Sequence, residues 1–207
     1  MNGTRRVCLL PRVALAGMLG LAACTTVRLT EPGQTATEQL LISVAVDHAV
    51  SQLNPMISAG TTVFVDAQYV DNAPGDAALY SKYAIASVRD RLLRQGARLV
   101  DDRKTADMVA ELRTGGQSID HRDFLVGIPA IPIPIPLVGT FSIPKVAFFE
   151  RDRQIGIAKM AVTSYGKDGA LNASTGPAYG ESDHTQMVAL LFFSWSKDNL
   201  LPDEFKR

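Results

Sequence analysis

Two short stretches of this chain gather the residue types that acid–base and hydrolytic chemistry draws on. Ser118-Ile119-Asp120-His121-Arg122-Asp123 and Glu181-Ser182-Asp183-His184 each set a histidine beside a carboxylate and close to a serine. A general base, its orienting acid and a nucleophile come from that set. Convergence of the two stretches would make a hydrolase site from Asp120, His121, Asp183 and His184. Neither has the two-histidine spacing of a helix-borne zinc site or a neighbouring thiolate, and Asp, Ser and His are also ordinary loop residues. The third histidine, His48, falls on the polar face of a predicted helix, where a solvated ring is the expectation. The chain has no Gly-x-Ser-x-Gly elbow, no phosphate-binding glycine loop and no dinucleotide fingerprint. The expectation is a protein without cofactor, resident metal or catalytic residues.

A cysteine carries the clearest signal. Arg5, Arg6 and Arg12 precede an apolar run over residues 13–23, no acidic residue occurs before Glu31, and Leu21-Ala22-Ala23-Cys24 closes the run with small residues before the thiol. Basic then apolar is the layout of a secretory signal, and eleven residues fall short of the ~20 that a spanning helix needs. The stretch resembles a bacterial lipoprotein precursor, which implies removal of residues 1–23 and acylation of Cys24. In such lipoproteins an aspartate after the cysteine favours the inner membrane. Thr25 therefore implies the periplasmic face of the outer membrane.

Removal of residues 1–23 leaves 18 basic against 21 acidic residues, a net charge near −3, so a basic nucleic-acid footprint is not expected. Cys8 would leave with the signal and Cys24 would be consumed by lipid. The mature chain would then hold no thiol for a disulfide or a redox centre. The remaining 184 residues suit one domain, expected over residues 37–202 behind a polar tether at 24–36.

Those residues alternate helix and strand signals. Thr35 or Thr37 caps a predicted helix in which Ile42, Ala45, Val46, Ala49, Val50 and Leu53 share one face, and Pro55 stops it. A strand is predicted over residues 61–69, a helix over 77–95 ending at Gly96, and strands over 97–100 and 107–114. The short connection at 101–106 suits a hairpin between the last two. Strand signals continue at 146–150, 155–165, near Leu171 and over 187–195, with a turn at Asp168-Gly169. The expected fold class is α+β: a mainly antiparallel sheet, two helices on one face, and a proline-rich apolar arm.

That arm is residues 124–144, which contain no charge and include Ile128-Pro129-Ala130-Ile131-Pro132-Ile133-Pro134-Ile135-Pro136. Prolines fix φ, remove donors and extend the residues before them, so residues 128–136 would span roughly 28 Å. A β-like arm of this kind fits only a sheet edge. It either folds back to cap the core or projects as a contact surface for a partner or membrane, with Ile128, Ile131, Ile133, Ile135, Leu137 and Phe141 as contact residues and Gly127 and Gly139 as hinges. Trp195, alone of its kind and set in an apolar run, is expected in the core.

Leu29-Thr30-Glu31-Pro32, the run from Thr35 to Ser43, Ser194-Trp195 and Asp198-Asn199-Leu200-Leu201-Pro202 together resemble a family of uncharacterised bacterial lipoproteins. The resemblance covers nearly the whole mature chain. It implies secretion, lipidation and one domain, and it brings no activity. The order from Thr61 through Gly96 to Ala106-Asp107 is more loosely similar to envelope lipoproteins of the curli-secretion and surface-exclusion kind. Those are ring-forming or assembly components, which bears on fold alone. The expected function is a non-enzymatic envelope module, held to the membrane by lipid and acting through a protein partner or self-association. A hydrolase and a small-ligand or glycan carrier are the alternatives.

Overall fold

The structure is a computed structural model that describes residues 34–70, 75, 77–135 and 139–201. The signal segment, Cys24 and the tether as far as Gly33 lie outside the described residues. The chain enters at Gln34, whose side chain accepts a hydrogen bond from the Tyr80 hydroxyl, and continues into α1 (Ala36–Ser51). Thr35 caps that helix. Its hydroxyl accepts from the Glu38 amide at 3.3 Å while the Glu38 carboxylate accepts from the Thr35 amide at 2.7 Å. Two of the amide donors that every helix start exposes are thereby satisfied. Ile42, Ala45, Val46, Ala49 and Val50 are buried, as their spacing requires, and Leu41 joins them.

After α1 come β1 (Thr62–Asp66), α2 (Ala77–Arg94), β2 (Arg98–Leu99), β3 (Met108–Ile128), β4 (Ile131–Ile135), β5 (Gly139–Ile143), β6 (Val146–Gly166), β7 (Leu171–Ser174), β8 (Ala178–Ala189) and β9 (Phe193–Asp198). Gly96 ends α2 at φ +89°, the left-handed geometry that glycine adopts without a steric penalty. The core joins α1 and α2 to one side of the sheet, with Val63, Val65, Ala110, Leu112, Ala158, Met160 and Val162 facing the helices.

The sheet is mixed and runs β2-β1-β3-β6-β8-β9, with β7 beside the end of β6. β1 lies between β2 and β3 and is parallel to both. This corrects the hairpin expected at residues 101–106, and it makes the sheet's first edge parallel where an antiparallel one was expected. A connection's length does not identify its partner strand. Here α2 serves as the crossover that parallel neighbours need, and Asp107 closes the loop by accepting from the Thr62 hydroxyl at 2.6 Å.

Three further boundaries differ from the sequence expectation. β3 runs 21 residues, through the polar stretch 118–123, and β6 joins what the sequence divides into two strands. The apolar run 187–195 contains a turn, with Leu190 at φ +50° and Leu191 at φ +69° and the Phe192 amide bonded to the Ala189 carbonyl. Periodicity reports burial on one face. The far halves of β3 and β6 have little burial to report.

Candidate functional site

Where β3, β6, β8 and β9 pass beyond the core, residues directly opposite one another share a face. His121 is opposite Gln154, Gln154 opposite His184, and His184 opposite Asp198, so these four form one row on the helix side. His121 and His184 are thus brought to the same face, two strands apart, or roughly 10 Å at ordinary strand spacing. Asp120 and Asp183 both oppose Ile155 and point to the other face. The pleat separates each aspartate from its neighbouring histidine, so neither Asp-His dyad forms. Ser182, on the helix side beside His184, is buried and donates its hydroxyl to the Leu41 carbonyl at 2.6 Å. That commits it to holding α1.

The row has other partners. His121 Nε2 lies 3.9 Å from Glu38 and His184 Nδ1 lies 3.8 Å from Asp198. Asp152 sits next along β6, opposite Asp123 and Gln186. Burial, then the Asp123 carboxylate, push its pKa up, with Glu150 adding to the rise while His121 and His184 oppose it. Asp152 Oδ1, Gln154 Oε1 and His184 Nδ1 are buried without a hydrogen-bond partner. Among the described residues no group of three or more His, Cys, Asp or Glu side chains is placed to hold a metal ion.

His48 is not merely solvated. Its Nδ1 lies 2.7 Å from the Glu181 carbonyl, and Gln52 Nε2 donates to the Tyr179 carbonyl at 2.7 Å. Both cover the stretch of the β8 edge that β9 does not reach. Asn199 supplies the next rung, its side-chain oxygen accepting from the Asp183 amide at 2.8 Å. Sequence periodicity had no means of finding the roles of His48 and Gln52, because the backbone that each meets is more than a hundred residues away.

On the face away from the helices, Phe124, Arg151, Met187 and Trp195 form one row and Val126, Phe149, Ala189 and Phe193 the next. Trp195 is 46% exposed, which corrects its expected place in the core, and Phe192 at the adjoining turn is 84% exposed. Strand-like apolarity placed these residues correctly in strands, but the strands continue past the helices that would cover them.

The proline-rich stretch is a hairpin rather than a single extended arm. Ile128 pairs with Val146 and, three residues further along each strand, Ile131 pairs with Ile143, so β4 and β5 continue the β3–β6 ladder in the same register. Ile128, Ile131, Ile133 and Ile143 are exposed and none belongs to the core cluster. Gly127 and Gly139, expected as hinges, are rungs opposite Ala147 and Ile135. Leu137 lies outside the described residues, as do the side chains of Ile135 and Phe141.

The pattern of the Family of unknown function (DUF6655) matches residues 18–174. No curated protein and no solved structure matches the chain.

Proposed function

Because the chain belongs to the Family of unknown function (DUF6655), which supplies no activity, we propose its function from its own residues: a lipid-anchored protein of the bacterial envelope that works by binding and not by catalysis. Acylation of Cys24 confines it to the periplasmic face of the outer membrane. The helices and the covered half of the sheet are the scaffold, and the uncovered end of the sheet is the contact surface. Confinement to two dimensions raises the effective concentration of that surface toward anything on the same membrane. A stable anchor takes more than one acyl chain, each buried methylene contributing about 0.8 kcal/mol.

The observation that carries this reading is the exposed apolar end itself. Phe124, Phe148, Leu190, Phe192, Phe193 and Trp195 are each more than 45% exposed, and contiguous apolar surface of this kind marks a contact site. The hydrolase reading has less support, since its aspartates and histidines occupy opposite faces. Cells fed an alkyne-tagged palmitate test the proposal. The chain should carry the tag in the outer-membrane fraction and the Cys24→Ser variant should not. Untagged chain in the soluble fraction would contradict it.

A further inference from the structure

We infer that the uncovered end of the sheet is seated in the lipid of the membrane that holds Cys24, so that the protein touches its bilayer twice, through acyl chains and through its own strands. The inference rests on the lipid-anchor reading and names the partner of the contact surface.

Four observations favour lipid over a protein groove or a second copy. First, the apolar character is on both faces. Phe124, Val126, Phe193 and Trp195 lie on the face away from the helices, Leu125 and Val188 flank Glu150 on the helix side, where Lys145 neutralises its carboxylate, and in β4 isoleucines alternate with Pro132 and Pro134. A partner protein covers one face of a sheet, whereas an interface of acyl chains surrounds it.

Second, the edge of β4 rejects strand addition. Its ladder to β5 must be carried by Ile131 and Ile133, since the prolines have no N–H. Pro132 and Pro134 then direct donorless backbone outward, a device that blocks pairing with another chain.

Third, the charges adjoin this end in a set order. Arg122, Arg153 and Lys197 stand in one row across β3, β6 and β9, Arg153 being paired with Asp183 and 3.9 Å from Glu181, while Arg151 stands in the row of Phe124 and Trp195. A basic row beside an apolar and aromatic end matches anionic headgroups above acyl chains.

Fourth, the described chain begins on the side of the scaffold nearest this end. Glu38, in the first turn of α1, lies beside His121, and the strand from His121 to Ile128 covers about 23 Å. Gln34 is ten residue steps from Cys24, a reach of about 35 Å when extended. The anchor and the apolar end can therefore meet one bilayer.

The turn at Leu190-Leu191 adds a cost that such a role explains. Both residues hold positive φ, where Asn-Gly is the favoured pair. Leucines at these positions trade stability for exposed apolar surface.

Trp195 is the sole tryptophan of the chain and lies in this end, so its fluorescence reports the contact. The full acylated chain is reconstituted in phosphatidylethanolamine–phosphatidylglycerol vesicles, with or without brominated acyl chains. Burial in the outer 5–10 Å of the acyl region predicts emission quenched to about half or less by bromine. The Leu190→Asn, Leu191→Gly double variant should melt at a higher temperature and lose most of that quenching while remaining anchored. Equal emission in both vesicle types overturns the inference. Blue-shifted, unquenched emission from a chain that sediments as a dimer overturns it in favour of a second copy. Absence of lipid on Cys24 would instead refute the anchor reading, and the quenching of unacylated chain added to the same vesicles still decides the sheet contact.

Discussion

At the scale of single residues, two glycines and one capping pair set the geometry. A Cβ on Gly156 would lie 2.5 Å from the Leu41 carbonyl oxygen, and one on Gly180 would lie 1.8 Å from the Ala45 carbonyl oxygen. Helix backbone therefore rests directly on strand backbone, and neither side can yield. Gly180→Ala should cost about 3 kcal/mol or more through overpacking, read as a fall in melting temperature by circular dichroism. An unchanged melt would mean that α1 does not lie on β8 as described. Glu38 makes the other residue-scale prediction. The Thr35 backbone amide, then the Thr35 hydroxyl, hold its pKa below the ordinary 4.5, with His121 assisting. A carboxylate depressed in the folded state contributes stability above its unfolded pKa and loses it as pH falls through the folded value. The melting temperature should therefore fall on acidification below the ordinary carboxylate range, and fall less steeply in Glu38→Gln. Parallel pH profiles for the two proteins would refute the capping contribution.

At the scale of elements, the long hairpin divides into a covered half and an uncovered half. β3 near Leu112 and β6 near Met160 are buried beneath the helices, while the exposed isoleucines of β4 and β5 contribute nothing to the core. Replacing residues 129–145 by a two-residue turn should leave the melting temperature within a few degrees of the parent and abolish bromine quenching of Trp195. Loss of cooperative folding would instead show that the hairpin supports the core. The legibility of each element follows the same division. α1 could be read residue by residue because its apolar positions are truly buried, and α2 ended where Gly96 allows. The middle of β3 was legible only as a cluster of Asp, Ser and His, since residues 118–123 are exposed or half-exposed on both faces and show no alternation. The parallel pairing of β1 was hidden because strand partners are chosen by tertiary packing. The histidine row was half legible. Residue types singled out His121 and His184, and only the strand register shows that the two share a face while Asp120 and Asp183 turn away.

At the scale of the whole molecule, the parts form one sequence of causes. A cysteine acylated behind its signal would fix the chain to a membrane, and a polar tether would lead from it to α1. Two close-packed glycines clamp α1 to β6 and β8. The side chains of His48, Gln52 and Asn199 complete the β8 edge, so the uncovered sheet beyond can remain ordered without helices over it. On the proposed reading the exposed end serves as a contact surface, and the anchor would give that contact its location. Everything above the scaffold depends on Cys24, and trypsin provides a direct test because Arg12 and Arg28 flank it. Mass spectrometry of the protein extracted from cells should find residues 24–28 as the N-terminal peptide, carrying acyl chains on Cys24. Recovery of residues 13–28 as one peptide with an unmodified Cys24 would contradict the account.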